Sequence, residues 1–282
     1  MTLLECILTE NACCKAGKTI QPRGVMIHST GANNPALRRY VQPAEYDSNK
    51  ETLLDQLGVN VNGNDWNRDD VQVCVHAFVG KLADGSVAAV QTLPWDMRGW
   101  HAGSGKSGSA NDTHISFEIC EDGLKDEEYF REVYRTAVEL TAMLCRRFDL
   151  DPLADGVVIC HSEGYGRGIA SNHADVMHWF PGHGKTMEDF RGEVAAEIKK
   201  TAEAERFAQL MAQYRAGLQD NDAASYSEAA RQWAVEQGLI RGSSSGAFNG
   251  MWEDFLTREQ VVVLLYRFWD KLIRREFELA EQ

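Results

Sequence analysis

The chain has 282 residues, 44% of them hydrophobic and 25% charged, which is material for one domain of ordinary size and a second, smaller one. A formal net charge of -13 argues against general nucleic-acid binding through phosphates. No apolar run reaches the length of a membrane span, so neither nucleic acid nor membrane is an expected partner.

Seven cysteines are scattered through the chain with no C-x-x-C pair. That pattern indicates neither a thiol redox motif nor a Cys-type zinc knuckle, and it predicts reduced thiols that behave as small hydrophobes. The N-terminal stretch MTLLECILTENACCKAG has no basic leader and no apolar core of signal-peptide length, which predicts a chain made and folded in a cytoplasm.

Pro22-Arg23-Gly24 precedes the short apolar run Val25-Met26-Ile27-His28, a strand that finishes on histidine. Asn33-Asn34-Pro35 then opens a predicted helix through Ala36, Leu37 and Tyr40. Residues 71–79 read as a strand carrying His76, and Ala83-Asp84-Gly85-Ser86 turns it back into 87–92 as a hairpin. Residues 93–114 form a Gly/Ser-rich loop around Trp95, Trp100 and His101; loops this long often carry function. From His114 to Cys120 the pattern alternates: Ile115, Phe117 and Ile119 face one way, His114, Ser116 and Glu118 the other. Glu118 thus lies on the polar face, with Asn111 in position to hold the loop before it. Residues 126–148 form an amphipathic helix with Phe130, Val133, Ala137, Leu140 and Leu144 on one side.

The stretch from Val157 to Gly184 draws the rest together. A buried strand, Val157-Val158-Ile159-Cys160, ends on His161, and a Gly-rich loop leads to His173, Asp175 and His178. Imidazole nitrogens and carboxylate oxygens are zinc ligands, and a strand end fixes such a group firmly. The residues alone leave the ligand set open. From Met187 to about Leu218 the pattern is helical, and Gln219-Asp220-Asn221-Asp222 breaks it. Beyond that, Ser225/Glu228 and Thr257/Gln260 have capping-box spacing, and Gly238 sits where a helix stop belongs. Val261, Leu264, Leu265, Phe268 and Leu272 form a helical stripe predicted to pack as core. The expected domains are 1–195, a helical linker 196–222 and a small helical unit 223–282.

The ordered set Val25-Met26-Ile27-His28-Ser29-Thr30, His76, Trp100-His101-Ala102-Gly103, Ile115-Ser116-Phe117-Glu118 and Ile159-Cys160-His161-Ser162 resembles the zinc-dependent N-acetylmuramoyl-L-alanine amidases of the phage-lysozyme and peptidoglycan-recognition type. The resemblance covers roughly residues 20–195. It implies an α/β fold, a mixed central β-sheet flanked by helices, with zinc (Zn2+) in a surface groove. It makes His28 and His161 zinc ligands and Asp175, within His173-Ala174-Asp175-Val176, the third. His173 then stands where the family has a catalytic lysine in a Lys-x-(Asp/Cys)-Pro-Gly element. The Pro-Gly is missing after Asp175 and a Pro181-Gly182 occurs later, so His173 and His178 stay as rival third ligands. Glu118 would orient and deprotonate the attacking water, with His173 aiding the oxyanion. His76, Trp100, His101 and His178 are the expected substrate-groove residues, with Trp95 nearby.

What the resemblance implies is cleavage of bacterial peptidoglycan between N-acetylmuramic acid and L-alanine. With no signal peptide, it points to an endolysin of a phage or prophage, made in the bacterial host cytoplasm and acting on the cell wall after release. The alternatives are a cytosolic amidase recycling muropeptides and a non-catalytic peptidoglycan-recognition module. Ala229–Gly242 followed by Leu256-Thr257-Arg258-Glu259-Gln260 resembles a single S-layer-homology motif. That likeness implies contact with a secondary cell-wall polymer; the alternative is a structural appendage or one that makes a homodimer.

Overall fold

Local sequence signals account for most of the elements in the computed structural model, which describes residues 1–217, 223–241, 250, 252, 256 and 258–274. Six strands form one mixed sheet: β1 (Leu3–Glu5), β2 (Gly24–Asn33), β3 (Ala77–Lys81), β4 (Val87–Gln91), β5 (His114–Glu121) and β6 (Val158–Cys160). Their order is β1-β4-β3-β5-β2-β6, with only β3 and β4 antiparallel. The helices α1 (Ala12–Ala16), α2 (Lys50–Leu57), α3 (Glu127–Arg147), α4 (His161–Gly166) and α5 (Met187–Gly217) flank or follow it.

The alternation in β5 sorts residues between two faces. Ile115, Phe117 and Ile119 join Val25, Ile27, Ala77 and Val79 beneath the apolar side of α3, where Phe130, Val133, Ala137, Leu140 and Leu144 are all buried. Asp126 starts α3 by accepting from the backbone N–H groups of Glu128 and Tyr129, the expected N-cap chemistry. On the opposite face Leu37, Tyr40, Leu53, Leu57, Phe78 and Val90 make a second cluster. The candidate site also opens on that face, where Met26 is followed two residues later by His28.

Several elements differ from expectation. The run ending at His28 continues to Asn33, pairing with β5 through an irregularity between Ser29 and Asn33. The helix expected after Pro35 shrinks to a 3₁₀ turn at Leu37–Arg39, because Ala36 is engaged in a bridge to Lys81 and cannot enter a helix. Residues 71–76 are held by a bridge between Cys74 and Trp100 rather than by a ladder. The Gly-rich stretch after His161 is the short helix α4. Glu163 accepts from the Cys160 N–H to cap it, and a Cβ on Gly164 would lie 2.6 Å from the Met26 side chain.

The reading of all seven cysteines as reduced is corrected: Cys13 and Cys74 form a disulfide. Sequence spacing could not reveal the pair. It arises because the Asn11 side chain donates to the Trp66 and Val73 carbonyls and lays the start of α1 against residues 66–74. The other five cysteines are free.

The chain forms two compact units, Met1–Thr201 and Ala202–Gln282. In the second, α6 (Glu228–Glu236) and α7 (Arg258–Phe268) are the described α-helices beyond α5. Ser225 does not cap α6: a 3₁₀ turn at Ser225–Ser227 precedes it and Ser227 occupies the cap position. Gly238 does stop α6, with a φ of 64° and its N–H on the Val235 carbonyl. The expected break at 219–222 and the cap at Thr257 lie outside the described residues. The predicted core stripe is not core, since Val261, Leu265 and Phe268 are exposed. Among the described residues no helix is long and apolar enough to cross a membrane.

Candidate metal centre and cleft

Sheet register builds the site. β2 pairs with β5 so that His28 lies opposite Glu118, and with β6 so that Ile27 lies opposite Cys160, which puts His161 beside His28. The carboxyl ends of three neighbouring parallel strands thus deliver a carboxylate and two imidazoles to one point, the usual place for a site in such sheets. Asp175 arrives from the loop that follows α4. Its carbonyl accepts from the Ser162 N–H, and the next residue, Val176, is sealed in the core. Trp179 and Phe180 anchor that loop edge-on against Phe130, at centroid distances of 5.4 and 5.7 Å.

The His28 Nδ1 atom is 3.0 Å from Asp175 Oδ2 and 3.1 Å from His161 Nδ1, and the His161 Nδ1 to Asp175 Oδ2 separation is 3.6 Å. Bonds of about 2.0–2.1 Å to a tetrahedral zinc put neighbouring ligand atoms about 3.3 Å apart, a value these separations bracket. Two imidazole lone pairs and a carboxylate oxygen facing one another need a shared cation or proton to hold them. The donor set fits zinc. Among the described residues this is the group of His, Cys, Asp and Glu side chains whose ligand atoms converge, within 4.8 Å. His173 and His178 lie outside it.

Burial sets the electrostatics. His161 is pushed down to about 4 by burial and then by the neighbouring His28, so its ring is neutral and able to ligate. Burial favours the acid form of Asp175, but the hydrogen bond from His28 and the electrostatic influence of the His28 and His161 rings outweigh it and hold the carboxyl below its ordinary range. Glu118 is driven well above the carboxylate range by burial and by the charges of Asp175 and Glu121. Its Oε2 is buried with no hydrogen-bond partner. Such an orphan facing a metal-competent cluster marks a group kept for chemistry.

A cleft of about 590 Å³ opens over the centre. His28, Glu118, His161 and Asp175 form its floor, while His173, His178, Trp100 and His101 also line it. His173 is exposed and stacks on His161 at 4.6 Å. His178 Nε2–H donates to Glu121 Oε1 over 2.9 Å, and the same oxygen accepts from the Gly31 N–H, so His178 braces the bend at the end of β2. Trp100 is half-exposed on the rim.

His76 is corrected as a groove residue. It has no exposed surface: its Nδ1 accepts from the Ser116 N–H and its Nε2–H donates to the Met97 carbonyl. Trp95 is buried and stacks on it at 6.5 Å. Asn111 holds the loop as expected, its Oδ1 accepting from the N–H groups of His101 and Ala102. Two contributors were missed. Ser171 Oγ lies 3.3 Å from His161 Nε2, a hydroxyl two residues before His173, and Glu121 lies just past the predicted end of β5.

Residues 18–183 match the family model described as N-acetylmuramoyl-L-alanine amidase, and the chain belongs to that family. It is similar to the N-acetylmuramoyl-L-alanine amidase CwlA of Bacillus sp., 26% identical over 166 residues that make up 54% of this chain and 64% of the relative. The match thus spans less than two thirds of that relative's length. Among solved structures it is similar to the Staphylococcus aureus hydrolase AmiA solved with its ligand, at TM-score 0.45 and 18% identity over 70% of this chain and 83% of that one. A mutant endolysin from Bacillus subtilis matches at TM-score 0.45 and 18% identity, over 69% and 99%.

Proposed function

We propose that the chain is a peptidoglycan hydrolase that cuts the amide between N-acetylmuramic acid and L-alanine. The observation that carries this reading is the convergence of His28, His161 and Asp175 beside the orphaned Glu118 carboxyl, in a chain of the amidase family. His28, His161 and Asp175 would hold zinc, which supplies Lewis acidity to polarise the scissile carbonyl and acidify water. Glu118 takes the proton of the water that attacks the carbonyl carbon. As the C–N bond breaks, Glu118 returns that proton to the departing L-alanine nitrogen, and the lactyl carboxyl is left on the sugar. His173, on the open side of the cleft, donates from a ring nitrogen to the oxygen that gains charge. Trp100 offers an aromatic face to the sugar or stem peptide at the rim.

The physiological counterpart of this reading is an endolysin, of phage or prophage origin, made in the bacterial host cytoplasm and acting on the wall after release. Its C-terminal unit, by its likeness to one S-layer-homology motif, would contact a secondary cell-wall polymer; the alternative role is a structural appendage or one that pairs two copies. Digestion of purified peptidoglycan, with and without chelator, tests the chemistry. New L-alanine amino termini that vanish with chelator and return with zinc are expected. New reducing sugar ends would overturn the reading in favour of a glycosidase, and wall binding without either product in favour of a recognition module.

A further inference from the structure

Each candidate ligand ring turns one nitrogen inward and has the other held by the protein. His161 presents Nδ1 to the centre while its Nε2 lies 3.3 Å from Ser171 Oγ. His28 presents Nδ1 to the centre while its Nε2 lies 2.9 Å from His101 Nδ1, the two rings meeting at 76° with centroids 5.0 Å apart. A nitrogen pair at 2.9 Å requires one proton between the two atoms.

We propose that His101 is a positioning residue for His28, setting its tautomer and ring orientation so that the Nδ1 lone pair points at the atoms of His161 and Asp175. This rests on the metal reading of the centre. With a cation present, His28 carries its proton on Nε2 and donates it to His101 Nδ1. Without one, His28 Nδ1–H donates to Asp175, and His101 Nδ1–H donates to the bare His28 Nε2. An imidazole at 101 serves both states, because the same atom accepts in one tautomer and donates in the other. The far nitrogen, His101 Nε2, is buried with no partner, so the ring has the His28 contact as its hydrogen bond.

The ring at 101 is fixed from below. The backbone N–H groups of His101 and Ala102 both donate to Asn111 Oδ1, and Asn111 Nδ2 donates to the Gly103 carbonyl. Trp100 and Cys74 exchange backbone hydrogen bonds of 3.1 Å on the other side. A Cβ on Gly99 would come within 3.2 Å of His101 Cδ2, so glycine leaves the ring its place. Partners of this kind on ligand histidines typically change metal affinity by tenfold to a hundredfold.

The test is zinc affinity of the full chain by competition with a chromogenic chelator, for wild type, His101→Ala and His101→Asn. Nitrogen-15 NMR of the imidazoles accompanies it. His101→Ala should bind zinc roughly tenfold to a hundredfold more weakly and lose the hydrogen-bonded His28 Nε2–H signal. His101→Asn, whose Oδ1 stands in for Nδ1, should recover most of both. Wild-type affinity in His101→Ala would overturn the inference and leave the metal centre standing. Equal losses in both variants, with the Nε2–H signal retained, would also overturn it, since ring packing alone would then be at work. A wild-type chain that takes up no zinc would overturn the metal reading together with the inference built on it.

Discussion

His76 shows what a histidine does when sealed between a strand and a loop. Both nitrogens are satisfied only in the neutral ring, and burial pushes its pKa down from 6.5 to about 4. The native state therefore binds fewer protons than the unfolded chain between those values. The stability contributed is whole above pH 6.5 and is lost as pH falls through about 4, by up to about 3 kcal/mol for this group. His76→Gln should flatten the decline of the urea midpoint between pH 7 and 4 relative to wild type. Parallel curves would remove His76 from the acid response. The same residue marks a limit of sequence reading: a histidine near a strand end looks the same whether it faces a cleft or a packed loop. His28 and His161 were legible because each closes an apolar run. Ser171 and Glu121 were not, since nothing in their own neighbourhood distinguishes a hydroxyl or carboxylate aimed at a histidine from a solvated one.

Elements were read best where one period ruled them. The β3–β4 hairpin, the alternation of β5 and the apolar side of α3 follow from local pattern, whereas the turn after Pro35 and the helix α4 depend on partners distant in sequence. The junction of β6 and α4, which aims His161, is such a case. Arg191 on α5 reaches the Val158 carbonyl and both Glu163 oxygens at 3.1 Å, while Glu163 caps the Cys160 N–H. Glu163→Ala leaves that N–H and the guanidinium without their shared acceptor, and should cost about 1–3 kcal/mol in urea denaturation. Arg191→Ala should cost less, because Glu163 keeps its contact with the backbone. The reverse order would mean that the guanidinium contact with Val158 holds the junction.

At the scale of the whole chain, fold class and family were legible from ordered motifs, and the cysteine pairing was not. The Cys13–Cys74 bond spans 61 residues. A loop of that length restricts the unfolded chain by about 4 kcal/mol on chain-entropy grounds. Reductant should lower the urea midpoint of the wild type and leave that of Cys13→Ser unchanged. A reductant effect of equal size in both would place the sensitivity elsewhere.

The bond also turns residues 14–73 into a closed ring, and that ring contains the outlying loop where Val61 is 88% exposed. A protease that nicks the chain there makes two peptides but no two molecules. The segment bearing His28 and the strands that follow stay tethered through sulfur, at the rim where Cys74 pairs with Trp100. A cut that looks like fragmentation on a reducing gel would be, in solution, only an interruption in a single covalent object.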